Sequence, residues 1–386
     1  MISGITPIGK PNKDAQDTLF HSAGLQILQF LEVHTLKSLK EIGEFGFIES
    51  FSKRFKPLLK DNIVGIGDDC AVFAKDGATD SIFTTDLLAE GVHFIREKIS
   101  AYELGYKSVA VNLSDIAAMG GVAKGTFLSI AVPPTLPFEY LDELMDGYLA
   151  ISKEFGVPLL GGDTTKSLRD LVINVGVVGE IEHDRAKMRS MAREDDIICV
   201  TGSLGDSAGG LQVVLAEKDR CALDDLIRKN PHVGYLINRH YMPKPRLGEG
   251  RVLSRLDAVH AMMDISDGIG SDLQHILKMS NVSAEIDVER LPLSHQLRGY
   301  FGRKGEQYLR ELAISGGEDY ELLFTVDRYE IDAVKTLLKS EIGTELREIG
   351  RIVPLTDDSP KITWRECGVK LNESFGGFNH FTRGAE

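Results

Sequence analysis

The sequence predicts an α/β protein built from two domains of similar size. Short apolar runs of strand length alternate with segments of helical periodicity. A charged, turn-like stretch at residues 188–196 interrupts that alternation, which then restarts. The 386 residues also suffice for about two cores of ordinary size. The first domain is assigned to residues 39–190 and the second to residues 191–386, with residues 1–38 as an N-terminal extension of unknown role.

In the first domain SIFTTD, TFLSIAVP, PLLGG and LVINVGVVGEI read as strands. Between them, ELGYKSVAVNLSDIAAMGG and FEYLDELMDGYLAISKEFG repeat apolar residues at the spacing of amphipathic helices, and Gly120-Gly121 closes the first of these. A second set of strands and helices follows in DIICVTG, SAGGLQVVLAEK, RLGEGRVLSRL, HAMMDIS, SDLQHILKMS, AEIDVE and EDYELLFTV. Gly202, Gly205, Gly209 and Gly210 have the wrong spacing for either standard glycine fingerprint and read as packing turns. Ser271 with Gln274 has the form of a capping box opening a helix, which assigns Ser271 and Asp272 to structure. Trp364, the single tryptophan, is read as a packing residue.

With 42% hydrophobic and 26% charged residues the composition is that of a globular protein. A formal charge of −14 excludes a nucleic-acid binder, which needs a basic face. A protein this acidic needs metal ions to bridge like charges if it handles nucleotides. Cys70, Cys199, Cys221 and Cys367 lie far apart without a CxxC pair, so neither a disulfide framework nor a zinc site is expected and the compartment reads as reducing. No stretch approaches ~20 apolar residues, and the N-terminus lacks a signal-peptide pattern. A soluble, cytoplasmic protein without a membrane partner is expected.

Aspartates recur where apolar runs end, in GIGDDCAVF, SIFTTDLLAEGVHF, VAVNLSDIAAMGG, PLLGGDTTKS and HAMMDISDGIGSDL. Carboxylates are depleted from strands and rarely buried, so their repetition points to convergence on a cation, and hard oxygen donors suit magnesium. Each site also has a plainer reading. Asp68-Asp69 can close a turn. Thr84-Thr85-Asp86 offers hydroxyl and carboxylate oxygens to a metal, but also fits an N-cap or turn. His93 reads alone as a core histidine. Asp115 falls near a helix C-terminus, where the macrodipole disfavours a carboxylate by roughly 0.3–1 kcal/mol. Its apolar neighbours argue against full exposure, so a cation is the better account. Asp163 can hold a metal behind two glycines, with Thr164 and Lys166 as donors, unless the segment is a hairpin turn. Asp264 and Asp267 are unexplained by capping. Glu318 and Asp319 sit behind paired glycines, where a turn or a substrate contact would place them.

Taken together, GIGDDCAVF, TTD with GVHF, VNLSDIAAMG, GGDTT, ISDGIGSDL and SGGEDYEL resemble, in order and approximate spacing, the thiamine-monophosphate kinase family. The resemblance runs from about Glu41 to GGFNHF and leaves residues 1–38 without a counterpart. It implies a two-domain, aminoimidazole ribotide synthetase-like fold whose N-terminal sheet dimerises, with ATP between the domains. It also implies direct transfer of the γ-phosphoryl of ATP to thiamine monophosphate, the last step of thiamine diphosphate biosynthesis, assisted by several Mg²⁺ ions. By motif position, Asp69, Thr84, Thr85, Asp86, Asp115, Asp163, Asp264 and Asp267 would hold magnesium, with Asp86, Asp115 and Asp163 as the catalytic set. Gly162, Asp163, Arg189 and Ser266 would touch ATP, and His93, Glu318 and Phe378 would face thiamine monophosphate. Thr84 stands where a serine is commoner in the family, which keeps the hydroxyl.

The chemistry implied needs positioning and charge neutralisation more than covalent work, and the acceptor phosphate needs no strong base. The alternatives are a synthetase of the same superfamily, making aminoimidazole ribotide, selenophosphate or a hydrogenase cofactor precursor, or a non-catalytic acidic module binding Ca²⁺. Selenophosphate enzymes use a reactive Cys or selenocysteine near the N-terminus, whereas residues 1–60 hold no cysteine. Hydrogenase-maturation relatives end in a reactive cysteine, whereas this chain ends FTRGAE.

Overall fold

The computed structural model describes residues 39–75, 77–355, 359–372 and 375. A helix, α1 (Leu39–Phe55), bent where Gly43 takes φ 65°, opens this part of the chain. The described residues from Ser52 onward form one compact unit.

The first half of that unit is a six-stranded sheet of β1 (Ile63–Val64), β2 (Ala71–Phe73), β3 (Thr79–Ala89), β4 (Val122–Val132), β5 (Leu159–Lys166) and β6 (Val172–Glu182). Its order is β1-β2-β3-β6-β4-β5, antiparallel except for the β4–β5 pair. Helices α2 (Ala101–Met119) and α3 (Phe138–Phe155) are interleaved with these strands. Ile82 and Leu88 of β3, Leu128 and Ile130 of β4 and Val175 and Val177 of β6 alternate onto the buried face and share one core with both helices. The segment read as possibly a hairpin at Asp163 is instead edge strand β5, exposed along its whole length.

Helix α2 is held at its start by a capping box, Ser100 and Glu103 each bonding the other's backbone N–H. Nearly every side chain along it is buried. It crosses α3 where two glycines touch the opposite backbone. A Cβ on Gly105 would lie 1.9 Å from the Leu144 carbonyl oxygen, and one on Gly147 1.8 Å from that of Tyr102.

The second half is a seven-stranded sheet in the order β13-β12-β9-β11-β7-β10-β8. Its strands are β7 (Ile197–Thr201), β8 (Val259–Asp264), β9 (Ser283–Asp287), β10 (Leu322–Val326), β11 (Leu346–Val353), β12 (Ile362–Glu366) and β13 (Val369–Lys370). The helices are α4 (Asp206–Ala216), α5 (Arg220–Lys229), α6 (Pro231–Tyr241), α7 (Leu247–Ser254), α8 (Ile269–Ser280), α9 (His295–Phe301), α10 (Glu306–Ser315) and α11 (Ile331–Glu341). One face of this sheet packs on α8 and α10 through Ile269, Leu273, Ile276 and Ile314. The other packs on α7 and α11 through Val252, Leu253, Val334 and Leu338, and Ala117 and Ala118 of α2 belong to that same core. Helix α2 therefore serves both halves.

Gly209 and Gly210 lie inside α4 against Leu297, Leu236 and His240, as packing glycines. Trp364 is buried and meets Phe375 edge to face at 5.2 Å. The capping box read at Ser271 is not formed. Helix α8 starts earlier, with Gly268 as N-cap, and the Asp272 carboxylate accepts the N–H groups of Ser266 and Asp267 instead. Asp272 is structural as expected, by a different bond. Among the described residues no helix is long and apolar enough to cross a membrane.

Overpacking a tight helix crossing costs about 1–3 kcal/mol. Gly105→Ala and Gly147→Ala should each shift the denaturant midpoint downward by that order. An unchanged midpoint in both would mean the crossing relaxes freely.

Candidate active site

The C-terminal part of α2, the inner face of β3 and the end of β8 meet at one place. Alternation along β3 turns Ile82, Thr84, Asp86 and Leu88 inward and Phe83, Thr85 and Leu87 outward. Thr84 Oγ1 donates to Asp115 Oδ2 on α2 at 2.5 Å. The neighbouring Ser114 donates to Asp264 Oδ2 at 2.6 Å, tying α2 to the end of β8. Asp69, in the loop before β2, pairs with Arg189 Nη2 at 2.5 Å, and the Arg189 main chain donates to Asp68 Oδ1 at 2.7 Å.

One carboxylate oxygen from each of Asp69, Asp115 and Asp264 lies within 4.8 Å of the other two. Burial, then the charges of Asp86 and Asp264, pushes the Asp115 carboxyl well above its usual range. Burial, then the Asp69 charge, pushes Asp264 up to about 8, against the lowering effect of Ser114 and Arg189. Asp69 Oδ2 is buried without a hydrogen-bond partner. Clustered carboxylates that resist ionisation, with an unpartnered oxygen among them, fit a divalent cation bound by hard oxygen donors. Asp69, Asp115 and Asp264, with Asp86 beside them, are the residues that could hold it.

Not every expected ligand joins this set. Thr85 faces outward, where its hydroxyl bonds Val175 O at 3.2 Å and Asn174 Nδ2 at 2.9 Å. The β4–β5 register pairs Asp163 with Ser129, an outward residue, and places it on the exposed edge strand. The structure thus separates Asp163 and the Thr85 hydroxyl from Asp86 by the thickness of the sheet, because alternation sends neighbours in a motif to opposite faces. Gly162 lies on the same edge, where a Cβ would meet Leu128 O at 1.7 Å. Ser266 and Asp267 flank the cluster in the loop after β8, both bonded through their N–H groups to Asp272.

A second group lies at the middle of α2. Glu318, held at φ 64°, meets Lys107 Nζ at 2.9 Å and His240 Nδ1 at 3.2 Å. Burial would raise the Glu318 carboxyl, but the charge and hydrogen bond of Lys107, with the smaller effects of His240 and His93, together more than offset it and keep the group below its usual range. Burial and the Lys107 charge push His240 down to about 3, so His240 is neutral and Lys107 supplies the counter-charge. His93, whose Nδ1 accepts the Ala89 N–H at 3.0 Å, lies close enough to act on the Glu318 charge. Asp319, its neighbour, faces away into the fold and caps α4 by accepting from Gly205 N and Ser207 N. Phe378 lies outside the described residues.

Motif reading missed Ser114, Asn112 and Lys107. Asn112 Oδ1 accepts the Asp86 N–H at 2.8 Å, positioning that carboxylate from α2. The available signal was Lys107 itself, a lysine 1% exposed inside an otherwise apolar helical run.

Residues 67–181 match the family model for the N-terminal domain of AIR synthase related proteins, and residues 193–362 that for their C-terminal domain. The chain is 36% identical to the thiamine-monophosphate kinase of Escherichia coli strain K12, over 88% of this chain and 98% of that protein. It is 35% identical to that of Bacillus subtilis strain 168, over 82% and 93% respectively. The chain belongs to the thiamine-monophosphate kinase family. Among solved structures, AaThiL complexed with AMPPCP and TMP matches with a TM-score of 0.73 and 32% identity, covering 89% of this chain and 99% of that one. The family member from Stenotrophomonas maltophilia K279a matches with a TM-score of 0.65 and 33% identity, covering 81% and 95%. The hydrogenase maturation protein HypE of E. coli shares the fold, at 19% identity and a TM-score of 0.59, over 75% of this chain and 84% of that one.

A carboxyl whose folded pKa exceeds its unfolded value binds its proton more tightly when folded, so stability falls as pH rises between the two. For Asp264 that window runs from 3.8 to about 8. In chelator, Asp264→Asn should melt above the unsubstituted protein at pH 8, and the gap should close toward pH 4. Equal melting temperatures across the range would refute the buried-carboxyl assignment.

Proposed function

We propose that the protein transfers the γ-phosphoryl group of ATP to the phosphate of thiamine monophosphate, giving thiamine diphosphate and ADP. The observation that carries this reading is the convergence of Asp69, Asp115 and Asp264 beside Asp86, in a chain of the thiamine-monophosphate kinase family. AaThiL, a relative over nearly its whole length, was solved complexed with AMPPCP and TMP.

In this reading Asp69, Asp86, Asp115 and Asp264 hold magnesium, with Asp267 at the rim. Bound there, the metal neutralises phosphate charge and orients the transferring group. Ser114 and Thr84 fix the carboxylates they bond. Arg189 exchanges its Asp69 partner for a nucleotide phosphate, and Ser266 borders the same phosphates. Glu318, kept ionised by Lys107, meets the cationic thiamine ring system together with His93. The acceptor phosphate is already ionised, so no residue acts as a strong base, and the chain's task is positioning. Asp163 is a candidate only for a ligand reaching the exposed edge of β5.

We also propose a cytoplasmic homodimer. All four cysteines are free thiols, which fits a reducing compartment. The outward face of the six-stranded sheet exposes Phe73, Phe83, Leu87, Phe127 and Leu160, an apolar surface of the kind buried in dimers.

Phosphorus NMR of the protein with ATP, Mg²⁺ and thiamine monophosphate should show a diphosphate ester and ADP accumulating together. Asp86→Ala and Asp115→Ala should keep their fold and lose kcat by about 100-fold or more. Intact ATP, or normal turnover in both variants, would overturn the reading. Sedimentation should give a dimer that Phe127→Glu converts to a monomer; a monomeric parent protein would refute the proposed interface.

A further inference from the structure

Away from the carboxylates, the second half of the chain holds a cavity of about 590 Å³. It opens where β7 ends and β11 begins, between the segment after β9 and the start of α7. In the order β11-β7-β10-β8, these strands stand two and three places from β8, whose last residue is Asp264. At the usual strand spacing that is about 10–15 Å from the aspartate cluster.

Among the described residues, four arginines line the cavity, Arg246, Arg290, Arg298 and Arg347, against the single carboxylate of Glu345. In a chain of net charge −14 that is an unusual concentration of positive charge. The four are held differently. Arg246 is half-buried and fixed, bonding Glu321 at 2.6 Å and 2.7 Å and Glu249 at 3.2 Å. Arg290 is 55% exposed and has only long pairs, 3.4 Å to Asp287 and 3.9 Å to Glu348. Arg298 pairs with Glu306 and Arg347 with Glu345, each between partners about half exposed. Exposed pairs of this kind are weak and readily exchanged. Three arginines can therefore turn to a ligand over a wall that the fourth keeps in place.

The lining also selects chemistry. Among the described residues it offers no aromatic face on which a flat ring could stack, and its apolar part is limited to Leu291, Pro292 and Leu293. Guanidinium forks match phosphoryl oxygens in pairs. The volume falls within the range of small-molecule sites and exceeds what one phosphate would fill. We propose that this cavity is a second binding site, for a small phosphorylated molecule carrying at least two negative charges. It stands independently of the kinase reading.

The probe is inorganic pyrophosphate, titrated calorimetrically into the full chain in excess chelator. Saturable binding with one site per chain is expected. Arg290→Gln combined with Arg347→Gln should weaken it by about tenfold or more, and Arg298→Gln separately should weaken it in the same direction. Asp115→Ala should leave it unchanged. Absence of saturable binding, or binding indifferent to these arginines, would overturn the proposal. So would tighter binding in Asp115→Ala, which would put the anion beside the aspartates.

Discussion

Like charges crowd together at the junction of α2, β3 and β8, and the surrounding fold is arranged around keeping them there. Asp69, Asp115 and Asp264 come from three separate segments, and each is held by a donor from another: Arg189 on Asp69, Thr84 on Asp115, Ser114 on Asp264. Without those donors mutual repulsion would drive the segments apart. With them, Asp115 and Asp264 are retained although burial and mutual repulsion push both carboxyls above their usual range. The site is thus tense by construction, and its own hydrogen bonds bear that tension.

The two charged groups along α2 show how one helix sets the geometry of the candidate site. Lys107 and Asp115 lie eight positions apart on α2, a little over two turns, so they stand about 12 Å apart along the axis and about 80° apart around it. One end gathers the negative charge of Asp115, Asp69 and Asp264, which in the proposed function a magnesium ion would offset. The other end uses a buried ammonium to keep Glu318 ionised. A substrate with an anionic end and a cationic end would find complementary partners in that order.

Much of this was legible in the sequence. The alternation of strands and helices, the glycine stop at Gly120 and the aspartates at segment ends all followed from periodicity and from the rarity of buried carboxylates. What was not legible depends on register and on distance along the chain. Thr85 belongs to a motif whose neighbours reach the cluster, yet strand alternation turns it to the other face, and Asp163 stands on the exposed edge strand β5, paired with the outward Ser129. Asp272 reaches back to Ser266 and Asp267 and starts α8 earlier than the capping pattern at Ser271 indicates. Ser114 meets Asp264 across 150 positions of sequence, a separation no local pattern encodes.

The shared burial of α2 also bears on how the chain folds as it is made. Ala117 and Ala118 sit in a core with Leu322, Phe324 and Leu346, residues synthesised some two hundred positions later. When the first sheet has emerged from the ribosome, the second-half residues that share this core with that flank of α2 have yet to be made. Local pairing of β3, β4 and β6 can precede this step, but the first half completes its core only with the strands of the second. The emerging chain carries an exposed apolar helix flank through most of its synthesis, the situation in which a nascent protein depends on chaperone protection.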